Sequence, residues 1–445
     1  MQSLFYFIIA LSLLVVIHEF GHYWVARRCG VKVLKFSVGF GKALWSRTGN
    51  NGTEFVIAAL PLGGYVKMLD SRETDVAESE KAVCFDRQSL RKRVAIVAAG
   101  PAANLLFAVF AYWLILVIGV PGSKPIIDNV NAGSPAAIAE LQAGDELLAI
   151  NDKKTPTWNS VFQRWLAYAK SGETVTITVL SGGVEQNKTL QLPQIGLDAA
   201  GELFNQVGIT AYRPAIPAVL GQIVADSAAA KAGLQEGDKL ISADGKTIDD
   251  WQAWVALIQA SPGKTLQITY QREGQQFTVD VTPEKDSDNK GRIGAGVAMP
   301  SEPLPAELQS ELRYGPLAAI PEAVLKTWSF SANTVASLWG MLRGTVSTDN
   351  LGGPISIAQF AGSSAQQGLI TFISFLAMIS ISLGILNLLP VPILDGGHLV
   401  MYFIEWIKGS PVSESLQIQG QKIGLILLLM LMILAFANDL ARLFG

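Results

Sequence analysis

The chain carries a His-Glu-x-x-His pattern at residues 18–22, inside the mostly apolar stretch LLVVIHEFGHYWVARRCG of residues 13–30. If this stretch is helical, residues four apart lie on one face, so His18 and His22 can converge on one metal ion. Glu19 projects beside them, within reach of a water molecule. Zinc suits imidazole and carboxylate ligands. The spacing predicts a catalytic metal site, because a polar cluster that merely joins two helices explains neither the spacing nor the glutamate.

A hydrolytic zinc site needs a third protein ligand, and the sequence offers two candidates. His398 is the remaining one of three histidines. Asp395, in NLLPVPILDGGH, is the better candidate, because it ends an apolar run where an unpaired carboxylate is costly and a metal offsets the cost. The alternative is that Asp395 only ends a helix at the membrane interface. Pro390 and Pro392 remove backbone donors and distort the helix that leads to it.

Two asparagines and two cysteines in the same regions have more than one interpretation. Asn387 offers an amide that either holds a substrate backbone or oxyanion or forms an interhelical hydrogen bond. Asn104 lies four residues after Gly100 and shares a helix face with it, and packing and function stay equally open. Cys29 and Cys84 are interpreted as plain thiols, since a metal-ligand role lacks any pair spacing.

The elements that must position these groups are membrane helices. Half of the residues are apolar, 16% are charged and the mean hydropathy is +0.34. Four apolar runs, at about 4–27, 94–120, 369–394 and 423–438, approach the roughly 20 residues that cross a bilayer. The net charge of -3, with no basic block, excludes a nucleic-acid binder.

The distribution of lysine and arginine predicts the orientation of the chain. Residues 27–93 hold 13 of the 34 basic residues, which places this loop in the cytoplasm. Both termini and the polar insert between the second and third runs then face outward, into the periplasm of a Gram-negative bacterium. β-Rich segments on either side of RTGNNG in this loop predict a hairpin that dips into the bilayer.

The polar insert contains an internal repeat. LQAGDELLAINDKKTPTWNSV begins at Leu141, and LQEGDKLISADGKTIDDWQAW begins at Leu234. Each copy continues into a helical stretch and an alternating strand pattern, so two α/β modules of domain size are expected, and both resemble PDZ domains. They either capture extended peptide ends by strand addition or act as steric bulk. After them, a repeated apolar pattern predicts an amphipathic helix, either at the membrane surface or packed on the PDZ pair.

The motifs together resemble those of the site-2 proteases, which are zinc intramembrane metalloproteases. The resemblance rests on His-Glu-x-x-His in the first apolar run, NLLPVPILDGG in the third, GFG at residues 39–41, PLGGYVKM at residues 61–68 and the tandem insert, and it covers essentially the whole chain. Within that family, the chain resembles the bacterial members that regulate an envelope stress response. It implies a polytopic α-helical membrane protein with four transmembrane helices, a membrane-associated β-hairpin and two α/β PDZ-like domains inserted between the second and third helices.

The expected organisation divides the chain into nine segments. They are transmembrane helix 1 with the histidines at 1–27, the cytoplasmic hairpin loop at 28–93, helix 2 at 94–120, PDZ domain 1 at 121–213, PDZ domain 2 at 214–300, a linker with an amphipathic interfacial helix at 301–368, helix 3 with the Leu-Asp-Gly motif at 369–398, a cytoplasmic loop at 399–422, and helix 4 with a tail at 423–445.

The resemblance also implies roles for individual residues and classes of partner. His18, His22 and Asp395 would bind Zn2+, and Glu19 would act as general base and then acid. Substrate contacts would come from Asn387, Gly39, Phe40, Gly41, Pro390 and Pro392. Substrates would be single-pass transmembrane proteins already cut by another protease, such as an anti-sigma factor, and signal-peptide remnants. The enzyme would lie in the bacterial inner membrane, with its active site toward the cytoplasmic side of the lipid bilayer.

Two other classes of function fit part of the pattern. One is a membrane PDZ scaffold with a structural or inactive metal site, which would not need Glu19. The other is a metal transporter that uses the same three residues as a transit site. Transporters tend to carry internal repeats in their membrane segments, whereas the repeat here lies in the polar insert. The sequence therefore favours an intramembrane zinc endopeptidase.

Overall fold

The computed structural model describes residues 2–72, 75–196, 200–212, 216–286, 288–298, 305–348 and 351–444. The chain forms two compact units. One unit comprises residues 1–120, 196–200 and 312–445, and the other comprises residues 121–195 and 201–311. The first unit holds every residue with a predicted catalytic or metal-binding role. The second corresponds to most of the polar insert.

The helices and strands are numbered in chain order. The helices are α1 (Gln2–Arg28), α2 (Leu90–Ile118), α3 (Pro135–Ile138), α4 (Trp158–Ala169), α5 (Leu203–Val207), α6 (Ala228–Lys231), α7 (Trp251–Gln259), α8 (Pro316–Leu342), α9 (Pro354–Gln366), α10 (Leu369–Asn387), α11 (Asp395–Lys408) and α12 (Glu414–Phe444). The strands are β1 (Val33–Thr48), β2 (Glu54–Met68), β3 (Val120–Ser123), β4 (Ile127–Val130), β5 (Glu146–Ile150), β6 (Lys153–Lys154), β7 (Thr174–Ser181), β8 (Val184–Gln191), β9 (Ile209–Ala211), β10 (Leu220–Ile223), β11 (Lys239–Ala243), β12 (Lys246–Thr247), β13 (Leu266–Arg272), β14 (Gln275–Val281), β15 (Glu284–Lys285), β16 (Gly291–Arg292), β17 (Ala295–Val297) and β18 (Gln309–Leu312).

Four helices of the described chain are long and apolar enough to cross a membrane: α1, α2, α10 and α12. The predicted apolar runs correspond to these four helices. α2 and α12 begin earlier than expected, at Leu90 and Glu414, because each opens with a mostly polar stretch, LRKR in α2 and ESLQIQGQK in α12, that hydropathy alone does not include. Pro101 lies within α2 without ending it.

The third apolar run is not one helix from 369 to 398, as expected from its hydropathy. α10 ends at Asn387, and the Leu-Asp-Gly motif begins a separate helix, α11. The intervening prolines, Pro390 and Pro392, remove two backbone donors that a continuous helix would need. Residues 399–422 are likewise mostly helical rather than a loop. The apolar pattern of α11 is amphipathic and shorter than a membrane span, so it escapes a search for spans.

The segment 301–368 contains two helices, α8 and α9, where one was predicted. The buried face of α8 packs on α2 through small side chains, with Ala319 and Ala323 against Ala108 and Ala111. The predicted positions for this helix were the membrane surface and the PDZ pair. Packing on another long apolar helix is neither of these. Residues 301–304 of the predicted linker lie outside the described part of the chain.

The loop after α1 forms the expected hairpin of β1 and β2, with its turn at Gly49–Gly52. The pairing is more complex than a two-stranded ribbon, because Phe36 pairs with Val66 on one side and with Phe55 on the other. Residues 35–38 therefore lie between the two halves of β2. Segment 64–68 is left with one strand partner within the described chain, so its outer edge is free of the sheet.

The polar insert folds as two modules with matching sheets. The strand order is β6-β5-β7-β8 in the first module and β12-β11-β13-β14 in the second, and both sheets are antiparallel. Each module has its own core, centred on Trp165 and Trp254. The predicted helix and alternating strand of each repeat are confirmed as α4 with β7 and α7 with β13. The predicted domain boundary at 213 and 214 lies outside the described residues.

The repeated Gly-Asp turn has the same structural role in both modules. Asp145 accepts a hydrogen bond from the backbone of Gln142 and pairs with Lys188 on β8. Asp238 accepts from the backbone of Gln235 and forms a two-point contact with Arg272 on β13. Both aspartates are buried, and removing either partner would leave a charge without compensation. The repeat thus preserves a fold-stabilising pair.

Candidate active site

The three predicted ligands come together from two distant parts of the chain. The ligand atoms of His18, His22 and Asp395 all lie within 4.8 Å of one another. The two Nε2 atoms are 3.3 Å apart, and they lie 3.2 and 3.5 Å from Asp395 Oδ2. His18 and His22 project from consecutive turns of α1, and Asp395 is the first residue of α11. His398 is not part of this cluster.

The donor set fits a metal ion. Asp395 Oδ2 is buried, and among the described residues no donor reaches it with hydrogen-bond geometry. An acceptor oxygen left in this state, facing two imidazole nitrogens, is what a divalent cation would satisfy. Two imidazoles and one carboxylate are also the ligand types of hydrolytic zinc sites that keep one position open.

Glycines allow the helices to approach closely enough to form this cluster. A Cβ atom on Gly100 of α2 would lie 2.2 Å from His22 Nε2 and 2.8 Å from His18 Cε1. A Cβ atom on Gly21 of α1 would lie 2.3 Å from the carbonyl oxygen of Ala99. Any side chain at position 100 would therefore overlap the two imidazole rings.

α2 also provides the outer contacts of both imidazoles. His22 Nδ1 donates to the carbonyl oxygen of Ile96 at 2.8 Å, which leaves its Nε2 as the atom with a free lone pair. His18 Nδ1 faces the side-chain amide of Asn104 at 3.3 Å. The sequence placed Gly100 and Asn104 on one helix face but gave no indication of which neighbour that face meets.

The turn before α11 places Asp395 beside the histidines. Gly396 and Gly397 begin α11 so close to the preceding turn that added Cβ atoms would lie 2.2 Å from the carbonyl oxygen of Leu388 and 2.3 Å from that of Val391. Pro392 packs toward α12, where a Cβ atom on Gly424 would lie 3.2 Å from its Cδ. The proline thus contacts a neighbouring helix in addition to breaking its own.

Glu19 lies between the histidine pair and the outer edge of β2. Its side chain lies close to the backbone of Val66. A Cβ atom on Gly64 would lie 3.0 Å from Glu19 Cγ. The free edge of segment 64–68 therefore lies next to Glu19, an adjacency that the hydropathy pattern does not reveal.

The remaining predicted substrate contacts lie in two places. Gly39, Phe40 and Gly41 stay within the hairpin, where the two glycines adopt positive φ angles of 91° and 87°. The Phe40 ring stacks on Tyr65 of the edge segment, with a centroid distance of 6.1 Å. Asn387 is half-buried at the end of α10, and its side chain has no hydrogen bond to any described residue. Pro390 is exposed.

The chain is similar to known proteins along nearly its whole length. Residues 6–431 match the family model described as Peptidase family M50. The chain is 46% identical over 442 residues to regulators of sigma-E protease from Salmonella typhimurium and Escherichia coli, with 98% of each chain covered. It is 43% identical over 445 residues to a putative zinc metalloprotease from Vibrio cholerae, with 98% of each covered.

Among solved structures, a PDZ domain of an SdrC-like protein from Listeria monocytogenes covers 20% of this chain and 94% of that domain, with 21% identity and a TM-score of 0.17. The family match, by contrast, runs from α1 to α12 and includes both histidines and Asp395. The chain belongs to peptidase family M50.

Proposed function

We propose that the protein is a zinc endopeptidase that cuts peptide bonds within the transmembrane segments of single-pass membrane proteins. The observation that carries the proposal is the His18, His22 and Asp395 cluster, with Glu19 beside it, on a helix with the length and composition of a membrane span. A purely structural metal site would have no use for that glutamate. The named function of the relatives as proteases supports the same conclusion.

In this proposal, the three clustered residues would hold Zn2+. When bound, the ion supplies Lewis-acid polarisation of the scissile carbonyl and makes a nearby water more acidic. Glu19 removes a proton from the attacking water and returns it to the amine of the leaving peptide. Ile96 holds the His22 ring through its Nδ1 atom.

A substrate helix must unwind before one of its peptide bonds can be attacked, and its exposed backbone then needs partners. The free edge of segment 64–68 supplies them by strand addition next to Glu19. Asn387 adds an amide that has no other hydrogen bond in the described chain. We assign the GFG segment, including Phe40 against Tyr65, to the support of this edge. Pro390 and Pro392 shape the adjoining turn and complete the cleft.

The substrate class and orientation follow from the sequence and the relatives' names. Loop 27–93 faces the cytoplasm by its basic charge, so the two inserted modules, taken as PDZ domains over 121–213 and 214–300, and both termini face the periplasm. The protein then lies in the bacterial inner membrane with its active site toward the cytoplasm. Because relatives carry the name regulator of sigma-E protease, we propose an anti-sigma factor, already cut once, as a substrate, together with signal-peptide remnants.

The test of the proposed function uses full-length protein in detergent, a model single-pass transmembrane substrate and the Glu19→Gln variant. Wild-type protein is expected to contain one zinc per chain and to cut the substrate inside its apolar segment. Glu19→Gln should keep the zinc, because Glu19 is not a ligand, and should lose cleavage by at least about 100-fold, the lower range for a general base. Zinc content is measured by elemental analysis, and the cut site is found by mass spectrometry.

The matched control is Glu284→Gln, the same chemical change in an exposed ion pair with Lys231. It should match the wild type in zinc content and cleavage. Wild-type protein without stoichiometric zinc, or full cleavage by Glu19→Gln, would overturn the proposed function.

A further inference from the structure

We propose that Asn104 is a positioning residue for His18, and that its side-chain oxygen accepts the Nδ1 proton of His18 when the metal is bound. The amide thereby fixes His18 Nε2 as the ligand atom. This inference rests on the proposed metal site and names the group that orients one of its ligands. Neither the motif spacing nor the relatives' names assign Asn104 a role.

The first support is the direction of the His18 ring. Its Nε2 atom faces the other ligands, 3.3 Å from His22 Nε2 and 3.2 Å from Asp395 Oδ2. Its Nδ1 atom faces Asn104 at 3.3 Å. A neutral imidazole carries one proton. If Nε2 is to offer its lone pair to a metal, the proton must be on Nδ1 and needs an acceptor there.

The second support is an unpaired atom of the Asn104 amide. The side chain is fully buried, its –NH2 group faces His18 Nδ1, and its Oδ1 atom has no hydrogen-bond partner in the described chain. This arrangement makes Nδ1 an acceptor and puts the proton on Nε2, which blocks metal binding. The oxygen and nitrogen of an asparagine amide are nearly equivalent in shape. A half-turn about Cβ–Cγ places the oxygen against Nδ1–H without moving either helix.

The half-turn exchanges an unpaired oxygen for an unpaired –NH2 group. The two arrangements therefore differ mainly in whether Nε2 is free to bind a metal. A bound ion selects the arrangement in which the oxygen accepts from Nδ1. By linkage, a side chain that can offer only an acceptor should bind the metal at least as well as asparagine does.

The third support is the pattern along α2. Ile96, Gly100 and Asn104 are spaced at intervals of four and share one helix face. The Ile96 carbonyl accepts from His22 Nδ1, Gly100 leaves room for both rings, and Asn104 meets His18 Nδ1. One face of α2 thus contacts the outer nitrogen of each imidazole. Ser380 of α10 donates to the backbone carbonyl of Asn104 at 2.9 Å, a contact that does not involve the side-chain amide.

The experiment compares zinc affinity in full-length protein carrying Glu19→Gln, so that no readout depends on catalysis. Asn104→Leu keeps the branching of the side chain and removes both polar atoms. Asn104→Asp keeps an acceptor and removes the donor. Ser380→Ala removes the neighbouring hydrogen bond and leaves the amide in place. Affinity is measured by competition with a chromogenic chelator, and ligand geometry by the visible absorption spectrum of the Co2+-substituted protein.

We expect Asn104→Leu to lower zinc affinity by about 10- to 100-fold, the usual cost of losing an outer hydrogen bond to a ligating histidine. Its Co2+ spectrum should also change. Asn104→Asp should bind zinc at least as tightly as asparagine, and Ser380→Ala should bind it unchanged. Rescue by aspartate separates hydrogen bonding from packing, because burying a carboxylate at this site is costly unless its oxygen accepts the Nδ1 proton of His18.

An Asn104→Leu affinity within twofold of the parent overturns the inference, and so does a folded Asn104→Asp variant as weak as Asn104→Leu. If burial of the aspartate charge prevents folding, the Asn104→Leu result alone decides. Failure of the parent protein to bind zinc is a different outcome, because it removes the proposed function itself. Zinc binding that is indifferent to position 104 removes only the inference.

Discussion

Substituting Gly100 with alanine is the most direct test of how the metal site is built, since it adds one methyl group and leaves every ligand intact. The new Cβ would lie 2.2 Å from His22 Nε2, 2.6 Å from its Cε1 and 2.8 Å from His18 Cε1. Ordinary Cβ contacts begin at 3.4 Å, so the His22 ring must move by about 1 Å. Metal–ligand distances tolerate only about 0.2 Å. The displaced ring can no longer share the ion with the other two ligands.

The expected effect is a loss of metal affinity without a loss of fold. The clashing atoms are the ends of two imidazole side chains, which can rotate away, and alanine favours a helix over glycine by about 1 kcal/mol. Losing one ligand should lower zinc affinity by at least about 100-fold, or about 3 kcal/mol. This is the upper range for losing a hydrogen-bond partner of a ligating side chain. Zinc content and chelator competition measure the affinity, and the thermal unfolding midpoint of the metal-free protein measures the fold.

The matched control is Gly420→Ala in α12, where the nearest atoms to a new Cβ are 3.4 Å away on Pro392. This variant should retain zinc. Undiminished zinc affinity in Gly100→Ala would mean that the imidazoles do not lie over position 100, and the geometry derived for the site would be wrong.

Two further predictions concern the elements around the site. Arg93 of α2 donates to both oxygens of Glu405 on α11, at 3.1 and 2.5 Å, and both side chains are largely buried. Arg93→Ala should therefore destabilise the protein by about 3–5 kcal/mol, because it leaves the Glu405 charge buried without a partner. Arg93→Met combined with Glu405→Leu removes both charges and should recover most of the thermal unfolding midpoint. An equal loss of the thermal midpoint in both variants would contradict the pairing. Single prolines along segment 64–68 should slow cleavage and spare zinc where the replaced N–H group faces away from β1. They should damage the hairpin where it faces β1, and unchanged cleavage at every position would argue against strand addition.

The three residues proposed as ligands could be predicted from the sequence, because each carries a local signal. His18 and His22 are one helical turn apart, and Asp395 is an ionisable group at the end of an apolar run. The same reasoning gave both candidates for the third ligand, and only the fold shows that Asp395 rather than His398 joins the cluster. The prolines before Asp395 signalled a distortion, but not that the helix would stop for seven residues.

Contacts between distant segments left no comparable signal. α9 begins without a side-chain cap of its own, and Asp439 of α12 accepts from the backbone N–H groups of Gly353 and Ile355 instead. A helix start that depends on a residue more than 80 positions away cannot be recognised by local capping patterns. The same holds for Asn104, whose partner depends on how α2 is rotated against α1. Periodicity finds the face of a helix but not the neighbour it meets.

These contacts assign an organising role to α2, a helix that supplies none of the three clustered residues. Its glycine at position 100 makes room for two imidazoles, Ile96 and Asn104 meet their outer nitrogens, and Arg93 fastens the helix that begins with Asp395. The His-Glu-x-x-His spacing brings two ligands to one face, but only their rotamers and the approach of the third decide whether a metal binds. Because those variables depend on α2, substitutions along its 93–104 face should alter metal affinity more than equally conservative changes elsewhere on α2.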